Sequence, residues 1–140
     1  MARSVAAPLG PRSVESPARR RSRAALSSVM VGAGILHFVI PDTYASIVPG
    51  ALGNARTVVF VSGVAEVAAG VLLARRTTRR IGAWCTVGVL VAVFPANVQM
   101  ALDARPGGGQ GWTTSQLVAW LRLPLQLPLV LWALSHARRR

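Results

Sequence analysis

The sequence predicts an all-α, polytopic membrane protein: a bundle of four transmembrane helices with both ends on the cytoplasmic side (N-in/C-in). Three observations lead there. First, 52% of the 140 residues are hydrophobic and only 14% charged, whereas a soluble domain carries about a quarter charged residues. Second, four apolar stretches, 24–40, 57–74, 81–102 and 117–134, each come close to the ~20 residues that cross a hydrocarbon core of ~30 Å. Third, the basic residues are all arginine and are gathered where these stretches end. The length allows a single domain.

Residues 1–23 are rich in Arg, Ser, Pro and Ala without apolar periodicity. Such a segment has little surface to bury against the entropy of ordering, and the expectation is a disordered cytoplasmic tail. Arg19-Arg20-Arg21 ahead of an apolar stretch also has the form of a twin-arginine or secretory signal n-region, but the stretch continues to Pro41 without a clear small-x-small cleavage site. The membrane domain spans 24–137, and 138–140 form a basic cytoplasmic end.

Pro41 ends the first helix. The segment PDTYASIVP (41–49) has Asp42 as a candidate N-cap and brings Tyr44, Ile47 and Val48 to one side of a short turn on the outer membrane surface. In the second helix Gly63, Ala65, Ala68, Ala69 and Gly70 let a neighbour approach closely, which places this helix at the centre of the bundle. Residues 104–111 form a glycine-rich outer loop that no strand precedes, so it is not a phosphate-binding loop. Thr113 and Gln116 form a capping box at the start of the fourth helix.

Orientation follows from the arginines. The tail, the loop between the second and third helices, and the C-terminus hold thirteen of the sixteen, and the two remaining loops hold only Arg56 and Arg105. By the positive-inside rule the first three segments are cytoplasmic. Trp84 and Trp132 then lie towards the inner interface and Trp112 at the outer one. Because each basic cluster abuts a hydrophobic run, the net charge of +12 reads as a topology signal, and nucleic acid is not an expected partner. The lone Cys85 excludes an intrachain disulfide and cysteine-based metal chemistry, and no metal site is expected.

Polar residues inside the spans are the candidate functional ones: His37, Glu66, Asn97, Gln99, Arg122 and Gln126. A charged group near a helix centre costs roughly 2.5–3.5 kcal/mol on insertion scales and needs a partner. On helical rise, His37, Asn97 and Arg122 lie roughly 5–8 Å from the outer ends of their helices and Glu66 ~14 Å from its own. A long arginine stem then brings Arg122 down to Glu66, and a single polar cluster open to the outside is expected. Arg122 and Gln126 share a helix face, and Pro95, Pro124 and Pro128 free the carbonyls of Val91, Trp120 and Pro124, as in a pocket lined by protein or water.

The pieces GILHF followed by Pro41, SGVAEVAAG, FPANVQM and WLRLPLQ occur in order on four successive spans. Together they resemble the DoxX-like membrane proteins over about residues 24–137. The resemblance implies a four-helix membrane fold and a redox theme. The family is named after a membrane subunit of a thiosulfate:quinone oxidoreductase, and other members look like membrane partners of sulfur-handling or oxidant-defence enzymes. His37, Glu66, Asn97 and Arg122 fall in the matching motifs.

The expected function is that of a redox-linked accessory subunit in the cell (plasma) membrane. It would bind a quinone or similar small molecule in an intramembrane polar pocket and associate with a partner oxidoreductase or with copies of itself. The chain has no CxxC, no flavin-binding motif and no haem-ligand pair across the bilayer. No intrinsic cofactor is therefore expected, and the chain is not expected to be an enzyme on its own. The alternatives are a non-catalytic assembly protein with a structural Glu66–Arg122 ion pair, and a small-solute permease.

Overall fold

The computed structural model describes residues 15–104 and 113–138, with no strand among them. The elements are α1 (Pro17–Val39), α2 (Pro41–Ala45), a 3-10 turn (Gly50–Leu52), α3 (Ala55–Ala74), α4 (Arg79–Asp103) and α5 (Thr114–Ala137). α1, α3, α4 and the Gln116–Ala137 part of α5 are each long and apolar enough to cross a membrane. At 1.5 Å per residue their lengths are roughly 30–38 Å.

Side-chain caps set three of the four long helices going. Ser16 accepts from the Arg19 N–H ahead of Pro17, Asn54 accepts from Thr57 N–H, and Thr113 with Gln116 makes the capping box read from the sequence. Pro41 closes α1 as expected and opens α2. Asp42 is not an N-cap. Ile40 occupies that position without a side-chain bond, and Asp42 reaches Arg56 at 2.6 Å instead.

The start of α1 also differs from the expected boundary at residue 24. The helix begins at Pro17, and Arg23, expected in a disordered tail, is 3% exposed. Arginine and alanine propagate a helix well, and the charge finds partners at the ends of other helices. Residues 1–14, the glycine-rich loop with Trp112, and 139–140 lie outside the described residues.

α3 packs along both α1 and α4, α4 packs along α5, and α1 meets α5 only slightly. The ring order is therefore α1, α3, α4, α5, with α3 and α5 on a diagonal. The central position expected for α3 depends on close approach: a Cβ on Gly63 would lie 2.8 Å from His37 Cβ, and one on Gly70 2.8 Å from Val31 Cγ2. Gly34 on α1 faces the same contact, 2.7 Å from the Gly63 carbonyl oxygen. Ala68, in contrast, faces outward.

The main buried cluster is Leu26, Leu73, Ala83, Ala133 and Ala137, at the arginine-rich end of the bundle. The outside of the bundle is apolar: Val64 is 59% and Leu127 63% exposed. A surface of this kind has a favourable solvent in lipid and an unfavourable one in water.

Candidate functional site

At the end opposite the arginine clusters, α2 and the 3-10 turn fold over α3. The exposed Asp42–Arg56 pair, at 2.6 Å, ties α2 to the first turn of α3. Tyr44, Ile47 and Val48, expected on one side of this segment, all line a cavity of about 410 Å³. Its wall is otherwise mostly small and branched apolar side chains from α3 and α4, among them Val58, Ala65, Ala92, Val93 and Ala96. Polar groups enter at six places: His37, Tyr44, Thr57, Ser62, Asn97 and Arg122.

His37 reaches the wall from α1. Its ring stacks on Tyr44 with centroids 4.0 Å apart and planes 21° apart. Nδ1 lies 2.9 Å from the Ala33 carbonyl oxygen. A carbonyl can only accept, so Nδ1 carries a proton. The same Nδ1 is 3.7 Å from Glu66 Oε2, beyond hydrogen-bond distance. Glu66 comes from α3, one turn after Gly63, and the missing side chain at Gly63 is what lets His37 lie against that helix. The Glu66 side chain is 9% exposed, and its Oε2 has no hydrogen-bond partner.

Across the cavity, Asn97 Nδ2 donates to Gln126 Oε1 at 3.1 Å, joining α4 to α5. The buried Gln126 donates in turn through Nε2 to the Leu90 carbonyl. That carbonyl is one residue before Val91, the one that Pro95 leaves without its usual donor, so α5 supplies an amide beside the gap in the α4 hydrogen-bond ladder. The exposed Arg122 directs Nη1 towards Met100 Sδ, 3.8 Å away.

Glu66 and Arg122 therefore do not pair. Among the described residues the group within ion-pair distance of Glu66 is His37. The reason is the ring order: α3 and α5 face each other across the diagonal, and the cavity lies between His37 on one wall and Arg122 on the other. Gln99 does not belong to the site either. It donates to Asp103 Oδ1 at 2.8 Å on its own helix. Two residues turn an α-helix by roughly 200°, so Asn97 and Gln99 cannot share a face.

The six candidates thus divide. His37, Asn97 and Arg122 line the cavity, Glu66 and Gln126 stand behind two of them, and Gln99 lies elsewhere. Tyr44, Thr57 and Ser62 were not among the sequence candidates. For Tyr44 the signal was its shared side with Ile47 and Val48; for Ser62, whose hydroxyl donates to Val59 O at 2.9 Å, there was none.

Chemically, the site is an apolar chamber with a stacked imidazole backed by a carboxylate on one side and amide and guanidinium donors on the other. Among the described residues no group of three or more His, Cys, Asp or Glu side chains could hold a metal ion. No curated protein and no solved structure matches the chain. One family model, described as a domain of unknown function (DUF8561), matches residues 13–137, a span that takes in the four long helices and the whole cavity; the chain belongs to that family.

Proposed function

We propose that the chain is a DoxX-like, multi-pass protein of the cell membrane, N-in/C-in, that binds a quinone or comparable ring compound in its cavity beside a partner oxidoreductase. The observation that carries this reading is the cavity: about 410 Å³, largely apolar, and opening between donors on opposite walls. Small-molecule pockets have this size and this mixture of apolar lining with a few placed polar groups. A quinone head group fits the residues present, being a flat apolar ring with an acceptor oxygen at each end.

When bound, such a group supplies two-electron chemistry accompanied by protons. The chain's own residues hold and orient it. Asn97 and Arg122 offer N–H donors, and the flat His37 and Tyr44 rings form a stacking wall. His37 and Glu66 are positioned to hold a proton at Nδ1 or Oε2, shielded from solvent. The orientation is supported by Arg19, Arg20, Arg21, Arg23, Arg75, Arg76, Arg79, Arg80 and Arg138 at one end of the helices, with exposed Trp84 near that end.

The test is extraction in mild detergent followed by identification of co-purifying quinones and proteins, with titration by a short-chain quinone. Saturable binding that weakens about tenfold in Arg122→Gln or His37→Leu, roughly 1.4 kcal/mol, is the expected result. Absence of saturable binding to the wild-type chain overturns the reading.

A further inference from the structure

Two groups of arginines at the basic end behave differently. Arg19, Arg23 and Arg80 turn inward. Arg19 donates to the Ser135 carbonyl at 2.7 Å, Arg23 to the carbonyls of Leu73 (2.8 Å) and Ala74, and Arg80 to the Ala137 carbonyl at 3.2 Å. They cap the C-terminal ends of α3 and α5, where free carbonyls and the helix dipole favour a cation.

Arg20 and Arg21 turn outward. Neither has an ion pair or side-chain hydrogen bond to any described residue, and both are exposed. With Pro17 and Ala24 of the same helix face, and with Arg76 from the α3–α4 turn, they line a groove of about 450 Å³. Glu15 also borders it, but its single charge is shared among Arg23 at 3.1 Å, Arg79 at 3.7 Å and Arg76 at 3.9 Å. The groove therefore keeps a positive excess.

We propose that this groove binds the phosphate of an anionic phospholipid headgroup. Guanidinium groups on two sides of one groove can each present paired N–H donors to phosphate oxygens. Location selects a lipid over a free anion. Below Arg21 the same stripe of α1 continues through exposed Ala24, Ser28 and Ile35 along the span, so an acyl chain hanging from the headgroup meets an apolar face. Basic pockets at the cytoplasmic ends of membrane helices suit this ligand class. The site is independent of whatever occupies the cavity at the other end.

The test uses the full chain in neutral detergent. Bound lipid is counted by native mass spectrometry, and the melting temperature is followed during titration with phosphatidylglycerol, phosphatidylcholine or sodium phosphate. Phosphatidylglycerol should be retained and protective where phosphatidylcholine is not. The double variant Arg20→Gln/Arg21→Gln should weaken its apparent affinity about tenfold. The equally charged control Arg75→Gln/Arg138→Gln, outside the groove, should change it less than about twofold. If the double variant does not accumulate, Arg20→Gln alone should give about a threefold loss on the same titration. Equal losses in groove and control variants would reduce the binding to diffuse attraction and overturn the site. Equal retention of phosphatidylcholine would do the same, and full protection by phosphate alone would overturn the lipid assignment.

Discussion

Glu15 and Glu66 are both nearly buried, one at the basic end of the bundle and the other halfway along α3 behind the cavity, and they are in opposite states. The side chain of Glu15 is 3% exposed and is gripped by two hydrogen bonds from Arg23, with Arg76 and Arg79 alongside. Among the described residues Glu66 has His37 as its ionisable neighbour, and its Oε2 has no hydrogen-bond partner. A satisfied buried carboxylate holds elements together, whereas an unsatisfied one costs about 1–3 kcal/mol or more. The basic end, with its buried cluster and arginine caps, is where the fold is tied; the cavity end tolerates a cost that packing alone does not explain.

The largest effect should come from cutting the tie at its centre. Arg23→Met takes both hydrogen bonds from Glu15, leaving it only the longer contacts to Arg79 and Arg76, and removes the donor to the Leu73 and Ala74 carbonyls. It should lower stability in detergent by about 3 kcal/mol or more, because several charge-assisted hydrogen bonds disappear at once. Loss of less than about 1 kcal/mol in a denaturant or thermal titration would remove the contrast between the ends. Gly82→Ala tests the same end through shape. A Cβ there would collide with the backbone of Leu72 and Leu73, so a loss of about 3 kcal/mol is expected. Gly88→Ala, on the same helix with open space around it, should gain up to about 1 kcal/mol.

One conservative change at each glutamate sharpens the comparison further. Glu15→Gln should cost about 2 kcal/mol, as expected for charged hydrogen bonds, whereas Glu66→Gln should leave stability unchanged or raise it by about 1 kcal/mol. The pH dependence has a definite sign. The hydrogen bond from Arg23, with the Arg23, Arg79 and Arg76 charges, outweighs burial and holds the Glu15 carboxyl below its ordinary value. A lowered folded value stabilises the fold above the unfolded one, near pH ~4.3 for glutamate, and that contribution disappears as pH falls through the folded value. Wild type should thus lose stability below about pH 4, and Glu15→Gln should flatten that limb. A Glu15→Gln profile as steep as wild type would mean the loss arises elsewhere.

Local features of this structure were legible in the sequence, and relations between helices were legible only in part. Hydropathy and length sufficed for the four long helices, the Thr113–Gln116 box for one start, Pro41 for one end, and the small residues of α3 for its central place. The early start of α1 was obscured because Arg19 and Arg23 are satisfied by carbonyls at the far ends of α5 and α3, contacts more than fifty residues away. Ser16-Pro17 was nonetheless a start signal. The expected Glu66–Arg122 pair failed because depth along a span is one coordinate and ring order is another, and only the first follows from helical rise. Gln99 could have been separated from Asn97 on spacing alone.

Two buried or cavity-facing alanines make the finest test of the same contrast, because the change in each is identical. Ala133 is fully buried in the cluster at the basic end, and Ala96 faces the cavity. Ala133→Leu forces extra carbons into packed space and should cost about 1–3 kcal/mol. Ala96→Leu places the same carbons in a chamber of about 410 Å³, so stability should move by less than about 1 kcal/mol in either direction. The chamber would nevertheless be partly filled, and the quinone titration should weaken at least tenfold, roughly 1.4 kcal/mol, with the donors untouched. Steric loss of binding at unchanged stability would tie the ligand to this volume. If Ala96→Leu instead destabilised the chain as much as Ala133→Leu, the cavity would be closed space in solution, and the site would have to be sought elsewhere on the bundle.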